Sequence, residues 1–236
     1  MSNFIENFMA NKKEKNYQEV LEINRERFSR QIEQSKGIQT FRNLFVGFCL
    51  ILPLLVSVIM GMEIFPSLSV YDFVFSREHF TWSGFVLANF MHLNFIHIFM
   101  NLTAAMYLFN RFYFSNLKTL IFLVIVSGIC SSFASMAFSP FNSVTIGASG
   151  ILFGLMTFLM MYIFDLSLAY KNEFDVTKLK KFLLIQFVIC VIINFIPMVA
   201  WYAHFGGALA GFIIYLTVRK NLDFSYEAFV LTYYKV

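Results

Sequence analysis

Apolar residues form six long runs along this sequence, and shorter polar segments separate them. Each run holds about twenty residues, the length that an α-helix needs to cross the hydrocarbon core of a bilayer. Six crossings leave both ends of the chain on the same side. The pattern therefore predicts six transmembrane helices, at residues 44–62, 93–113, 117–138, 149–168, 182–200 and 202–218.

The distribution of basic residues indicates which side holds the two ends. Of the 18 Lys and Arg residues, all except Arg77 fall in segments that this topology places on the side of the ends. Cytoplasmic loops of membrane proteins carry an excess of Lys and Arg. We therefore predict an all-α membrane protein, a six-transmembrane-helix bundle with both termini cytoplasmic.

Composition supports the membrane class and narrows the chemistry. The chain is 58% apolar and 14% charged, whereas soluble domains carry about a quarter charged residues. Cys49, Cys130 and Cys190 each lie inside an apolar run. Their positions indicate neither a disulfide framework nor a metal site of the CxxC type, so no metal is expected.

One domain accounts for most of the chain. We expect a six-helix core at residues 41–220, a cytoplasmic N-terminal segment at 1–40 and a cytoplasmic tail at 221–236. In the N-terminal segment, Tyr17–Ile32 mixes apolar and arginine residues, which fits a helix on an anionic membrane surface and equally a solvated cytoplasmic helix. The longest loop, Glu63–His92, is predicted to be external and to lie in the membrane interface.

Polar side chains inside the spans are few, and such groups are costly in hydrocarbon unless they serve a function. Span two contains His97 and Asn101, with His92 directly before it, span four begins at Ser149, and span six contains His204. All three spans enter the membrane from outside, so these groups share a depth in its outer half. His97 and Asn101, four residues apart, also share one helical face.

Two glycine motifs stand beside the serine and the last histidine. Gly150 and Gly154 follow Ser149, while Gly207 and Gly211 follow His204, and small residues four apart let transmembrane helices approach closely. Close packing of spans four and six would allow a hydrogen bond between the serine hydroxyl and the imidazole. Ser149 could alternatively be a packing residue between helices.

A third member for this pair is hard to find in the sequence. Asp165 is the acid within the spans, but it follows Ser149 by sixteen residues on the same helix, or roughly 24 Å at about 1.5 Å per residue. Asn194, near the external end of span five, is interpreted as structural. We therefore predict a dyad, with the Ser149 N–H, the His97 side chain and the Asn101 amide as donors to an oxyanion.

At these residues the sequence resembles the rhomboid family of intramembrane serine proteases. The resemblance covers about residues 40–220 and is carried by three motifs: HxxxxHxxxN from His92 to Asn101, GxSG from Gly147 to Gly150, and HxxGxxxG from His204 to Gly211. It implies that Ser149 is the nucleophile, that His204 is the base, and that His97, Asn101 and the Ser149 amide form the oxyanion hole.

The resemblance also implies supporting roles. Phe153 occupies the position where an aromatic ring stacks on the catalytic imidazole, and span five with the loop Pro197–Tyr202 would be a mobile gate and cap.

The first loop departs from the family pattern. The family usually carries a Trp-Arg pair there, but Trp82 has no Arg after it. Arg77, the basic residue of that loop, could take the place of the missing arginine.

The sequence is compatible with three functions. The first is a rhomboid-type protease that cuts transmembrane segments of single-span or multi-span membrane proteins near their external end, without a cofactor. The second is an inactive relative that binds such clients. The third is a small transporter or channel, although the sequence has neither an inverted repeat nor a polar midplane path. We expect a bacterial plasma membrane as the location, with lipid and membrane proteins rather than nucleic acid as partners.

Overall fold

Helices make up most of the described chain. The computed structural model describes residues 33–60, 62, 67, 69–169, 177–195 and 199–222. The predicted surface helix at Tyr17–Ile32, most of the tail and part of the loop Pro197–Tyr202 lie outside these residues. The described helices are α1 (Glu33–Met60), α2 (Trp82–Leu87), α3 (Phe95–Phe109), α4 (Leu117–Phe138), α5 (Ser149–Ala169), α6 (Thr177–Ile193) and α7 (Trp201–Val218).

Four of these helices, α1, α4, α5 and α7, are long and apolar enough to cross a membrane. A fifth crossing is possible if Trp82–Phe90 and α3, which meet at 75°, form one bent span. In α6 the apolar stretch Leu184–Ile193 is shorter than a full span. A multi-pass helical membrane protein is therefore confirmed, while the count of six spans and the cytoplasmic position of both ends stay predictions.

The centre of the molecule is formed by α4, α5 and α7, which pack against one another. The fully buried rings of Phe158 on α5 and Tyr215 on α7 meet edge to face, and the Tyr215 hydroxyl donates a hydrogen bond to Asp165. Large apolar side chains on the outer faces, such as Phe95 at 78% exposed, remain uncovered by protein. In a membrane, lipid covers these faces.

Backbone N–H groups in the first turns of α3 and α4 are satisfied by asparagine caps. The Asn94 side chain accepts a hydrogen bond from the His97 N–H at the start of α3, and Asn116 does the same for Thr119 at the start of α4. Such caps replace partners that the first turn of a helix lacks. The Asn94 cap also fixes where α3 begins, and with it the positions of His97 and Asn101.

A short two-stranded sheet joins the first loop to the segment before α5. The strands β1 (Phe75–Ser76) and β2 (Val144–Thr145) are antiparallel, with Phe75 opposite Thr145. Arg77, directly after β1, donates a hydrogen bond of 2.6 Å to the Ser139 carbonyl at the end of α4. The loop is therefore held against the helical core on the side where α5 begins.

Candidate active site

The structure brings Ser149 and His204 into direct contact. Ser149 is the first residue of α5, and its Oγ lies 2.8 Å from Nε2 of His204 in the first turn of α7. His204 is 4% exposed, while Ser149 is half-buried. A buried imidazole at this distance from a serine hydroxyl has the geometry of a general base and its nucleophile.

Glycines create the close approach of α5 and α7 that this contact needs. A Cβ on Gly207 would overlap the Gly150 carbonyl oxygen, and a Cβ on Gly211 would overlap that of Gly154. The helices therefore touch through their backbones along both motifs, as the sequence predicted. Any larger residue at these positions would move Ser149 away from His204.

The ring of His204 is held from its face by an aromatic side chain. The Phe153 ring lies parallel to the imidazole, with centroids 4.0 Å apart and planes 8° apart. Phe153 is one turn beyond Ser149 on α5, so one helix presents both the hydroxyl and the stacking surface. The stacking position that the resemblance implied is thus occupied in the structure.

Two side chains of α3 turn their nitrogen atoms towards the backbone before Ser149. A Cβ on Gly147 would lie 2.6 Å from His97 Nε2 and 3.4 Å from Asn101 Nδ2. Gly147 has a φ of +119°, which other residues rarely adopt, and its N–H donates to the Ala88 carbonyl at 2.8 Å. Glycine is therefore required here both for the turn and for the space that the α3 side chains use.

The buried side-chain nitrogen of Asn101 has no hydrogen-bond partner in the described part of the chain. Its Nδ2 makes no hydrogen bond to any described residue, although the side chain is 7% exposed. An orphaned buried donor is costly, and it is expected where a ligand or a reacting group supplies the acceptor. The Ser149 N–H, at the first position of α5, also lacks a partner inside its helix.

His92 contacts His97 rather than the serine. The two imidazole rings meet edge to face with centroids 5.1 Å apart, and His92 Nδ1 donates to the Phe90 carbonyl at 3.1 Å. His92 therefore supports the ring of His97 and the bend before α3. This placement agrees with a supporting position rather than one next to Ser149.

Asn194, which the sequence did not assign to the site, contacts His204 directly. Its Oδ1 lies 2.9 Å from Nδ1 of the imidazole, on the opposite side of the ring from Ser149. The interpretation of Asn194 as merely structural overlooked this contact. One signal could have found it, since an amide near the external end of an apolar helix shares the depth of the other polar groups.

The segment before α5 lines a small cavity, as expected for irregular backbone at membrane depth. Gly147, Thr145 and serines of α4 form its walls, including Ser131 and Ser135. No group of three or more His, Cys, Asp or Glu side chains that could hold a metal is present among the described residues.

Comparisons with known proteins agree with this geometry. The family model described as Rhomboid domain matches residues 79–221, which include every candidate site residue named above. A curated relative, RHOMBOID-like protein 5 of Arabidopsis thaliana, is 30% identical over 141 residues, 58% of this chain and 44% of that protein. The chain thus matches less than half the length of this relative.

Proposed function

This chain belongs to the rhomboid family, and we propose that it is an intramembrane serine endopeptidase that uses Ser149 as nucleophile and His204 as base. The contact of 2.8 Å between Ser149 Oγ and His204 Nε2 carries this proposal. A serine and a neutral imidazole placed together in this way are the minimum requirement for acyl transfer to a hydroxyl.

The proposed reaction begins when Ser149 Oγ attacks the carbonyl carbon of the scissile peptide. His204 Nε2 accepts the hydroxyl proton as the new C–O bond forms. The carbonyl oxygen becomes an oxyanion, and the His97 side chain, the Asn101 amide and the Ser149 N–H act as its donors. The orphaned Nδ2 of Asn101 supports this role, because the oxyanion would supply the acceptor that it lacks.

Collapse of the tetrahedral intermediate breaks the peptide C–N bond, and the imidazolium gives its proton to the leaving amine. Water then attacks the acyl-enzyme, His204 again accepts a proton, and the second tetrahedral intermediate releases the new carboxylic acid and the Ser149 hydroxyl. We assign the supply of this water to the small cavity beside Gly147, whose lining includes the hydroxyl-bearing side chains of Ser131, Ser135 and Thr145. The balanced reaction consumes one water and requires no cofactor.

The substrates proposed are transmembrane segments of other membrane proteins, cut near their external end. Ser149 and His204 both stand in the first turn of their helices, which corresponds to one membrane interface rather than its midplane. Family resemblance adds an expectation of small residues such as Ala at the scissile position and a helix-destabilising residue nearby. The protein itself is an integral multi-pass membrane protein; the bacterial plasma membrane stays a prediction, and a plant relative lends it no support.

The proposal is tested by incubating the purified protein in detergent and in liposomes with an Ala-rich single-span substrate. We expect cleavage by the wild type, none by Ser149→Ala or His204→Ala, and a cut near the external end of the span by mass spectrometry. If the wild type cleaves no faster than Ser149→Ala but still retains the substrate in pull-down, the alternative of a client-binding relative without activity is supported instead.

A further inference from the structure

We propose that Asn194 is a positioning residue of the active site, which holds His204 in the tautomer and orientation that Ser149 requires. This inference deepens the proposed function and rests on it. The bond of 2.9 Å between Asn194 Oδ1 and His204 Nδ1 carries it, because it places the amide on the imidazole nitrogen opposite the one that faces Ser149. The chain would then use a Ser-His-Asn arrangement rather than a dyad.

The orientation of the Asn194 amide follows from its second contact. Asn194 Nδ2 lies 2.7 Å from the Cys190 carbonyl oxygen, which can only accept a hydrogen bond. The nitrogen of the amide must therefore face Cys190, and the oxygen must face His204. The hydrogen-bond partners of the amide thus determine which of its two ends is the oxygen and which is the nitrogen.

The same logic then fixes the proton on the imidazole. An amide oxygen can only accept, so His204 Nδ1 must carry the hydrogen in the resting enzyme. In a neutral imidazole the other nitrogen, Nε2, is then the unprotonated one. Nε2 is the atom that faces the Ser149 hydroxyl and accepts its hydrogen bond. The donation thus runs from Ser149 to His204, from His204 Nδ1–H to Asn194 Oδ1, and from Asn194 Nδ2 to the Cys190 carbonyl.

Asn194 complements the constraint that Phe153 provides. Stacking on Phe153 fixes the plane of the imidazole, but a 180° flip about the Cβ–Cγ bond keeps that plane and exchanges Nδ1 with Cδ2. The bond to Asn194 removes this freedom, and it leaves the ring with one orientation. When His204 takes the proton from Ser149, the amide oxygen faces the new positive charge. Because the amide is neutral, no permanent anion is buried beside the ring.

An acid in this role is excluded by the positions of the described carboxylates. Asp165 on α5 is engaged by Tyr215, and the remaining described acids lie in the first loop or at the start of α1. His92 and His97, whose rings contact each other, are the other titratable side chains described near the site, and neither is an acid. The neutral amide of Asn194 is therefore the acceptor that the described chain presents to Nδ1.

Asn194 stands on a different helix from both of its reaction partners. It follows the last residue of α6, whereas Ser149 begins α5 and His204 belongs to α7. The bond therefore makes the position of this end of α6 part of the active-site geometry. A shift of about one ångström lengthens a hydrogen bond beyond its useful range, so displacement of α6 would release the imidazole.

The competing explanation is that Asn194 only satisfies the end of α6 through its bond to Cys190. Two substitutions separate the roles. Asn194→Ala removes both bonds, whereas Asn194→Asp keeps an acceptor for His204 and loses the donor to Cys190. Ile192→Ala, which truncates a side chain on the same helix that is 59% exposed, is the matched control.

We expect Asn194→Ala to lower kcat for the single-span substrate by at least about 10-fold with KM within about twofold, since general-base contributions reach 10²–10⁴. Labelling of Ser149 by a fluorophosphonate should slow in parallel. Asn194→Asp should recover most of kcat and move the acidic limb of its pH profile to higher pH, because a carboxylate favours the imidazolium. Ile192→Ala should match the wild type.

The ¹⁵N chemical shifts of the histidine side chains provide a readout that does not depend on proteolysis. The His204 signals are those that disappear in His204→Gln. In the wild type they should show the Nδ1–H tautomer, and in Asn194→Ala they should show a mixture of the two tautomers. An unchanged tautomer in Asn194→Ala, wild-type kcat in that variant, or equal loss in Asn194→Ala and Asn194→Asp would overturn the inference. A different result would overturn only the proposed function: the tautomer changes in Asn194→Ala, but the wild type shows no cleavage that depends on Ser149.

Discussion

Phe153 lies flat on His204, with ring centroids 4.0 Å apart and an angle of 8° between the planes. The contact links α5 to α7 directly beside the bond between Ser149 and His204. It therefore serves the fold and the site at once, and a substitution can show which of these roles dominates.

We expect Phe153→Ala to lower kcat by about 10-fold, because an aromatic pair contributes about 0.5–1.5 kcal/mol beyond burial and its loss frees the imidazole. Phe153→Tyr should keep the stack and most of the activity. Phe164→Ala, which truncates a half-exposed ring on the same helix, is the control for loss of an aromatic side chain. Initial rates on the single-span substrate measure the effect. Unchanged turnover in Phe153→Ala would show that the ring is core packing only.

Asn101 offers a test of the oxyanion donors that separates activity from stability. Its buried Nδ2 has no described partner, so removal of the amide breaks no hydrogen bond made through that nitrogen. We expect Asn101→Ala to lower kcat by about 10²–10³, as for other oxyanion donors, with little change in the melting temperature. Steady-state kinetics and thermal unfolding in detergent measure the two quantities.

The exposed Thr103 on the same helix supplies the matched control for Asn101. Thr103→Ala should change neither kcat nor the melting temperature. If Asn101→Ala lowered the melting temperature as strongly as it lowered kcat, the amide would have a structural role, and the assignment of Asn101 to the oxyanion hole would be wrong.

The sequence predicted the features that leave a local pattern along the chain, namely long apolar helices and pairs of glycines. The predicted run 117–138 coincides with α4, and Ser149 is the first residue of α5, because about twenty apolar residues define a helix without reference to its neighbours. The two glycine motifs likewise predicted the contact between α5 and α7, since close packing leaves a local signature of small residues.

Other features depend on partners far away in the sequence, and they were missed for that reason. The strands β1 and β2 hold two residues each, too few to show the alternation that marks a strand. Asn194 and His204 are ten residues apart and belong to no common sequence motif, although their side chains are in contact. A single amide in an apolar run does not reveal which residue it contacts.

Arg77 explains how the first loop is anchored without an Arg after Trp82. Its guanidinium donates to the Ser139 carbonyl at 2.6 Å, and so ties the residue after β1 to the end of α4. We expect Arg77→Ala to lower the free energy of unfolding by about 1.5–3 kcal/mol, the range for hydrogen bonds to charged groups. Thermal unfolding measures the change, and limited proteolysis of the loop should become faster.

The neighbouring Glu78→Ala is the control for Arg77, since it removes an exposed charge from the same loop. Exposed ion pairs contribute at most about 1 kcal/mol, so this variant should remain close to the wild type. Equal stability of Arg77→Ala and Glu78→Ala would contradict the anchoring role.

Gly207 tests the close packing on which the proposed site depends. A Cβ at this position would overlap the Gly150 carbonyl oxygen, which belongs to the backbone and cannot turn aside. We expect Gly207→Ala to cost about 1–3 kcal/mol through overpacking and to lower kcat, because α5 and α7 must separate and Ser149 moves away from His204. Thermal unfolding and initial rates measure the two effects.

Gly47 on α1 is the matched control, since a Cβ there would meet nothing within 4 Å. Alanine is the better helix former, so Gly47→Ala should leave stability unchanged or raise it by up to about 1 kcal/mol, with wild-type activity. The difference between the two substitutions isolates the helix contact from the general effect of replacing glycine. If Gly207→Ala were as stable and active as Gly47→Ala, the backbone contact between α5 and α7 would not be what holds Ser149 against His204.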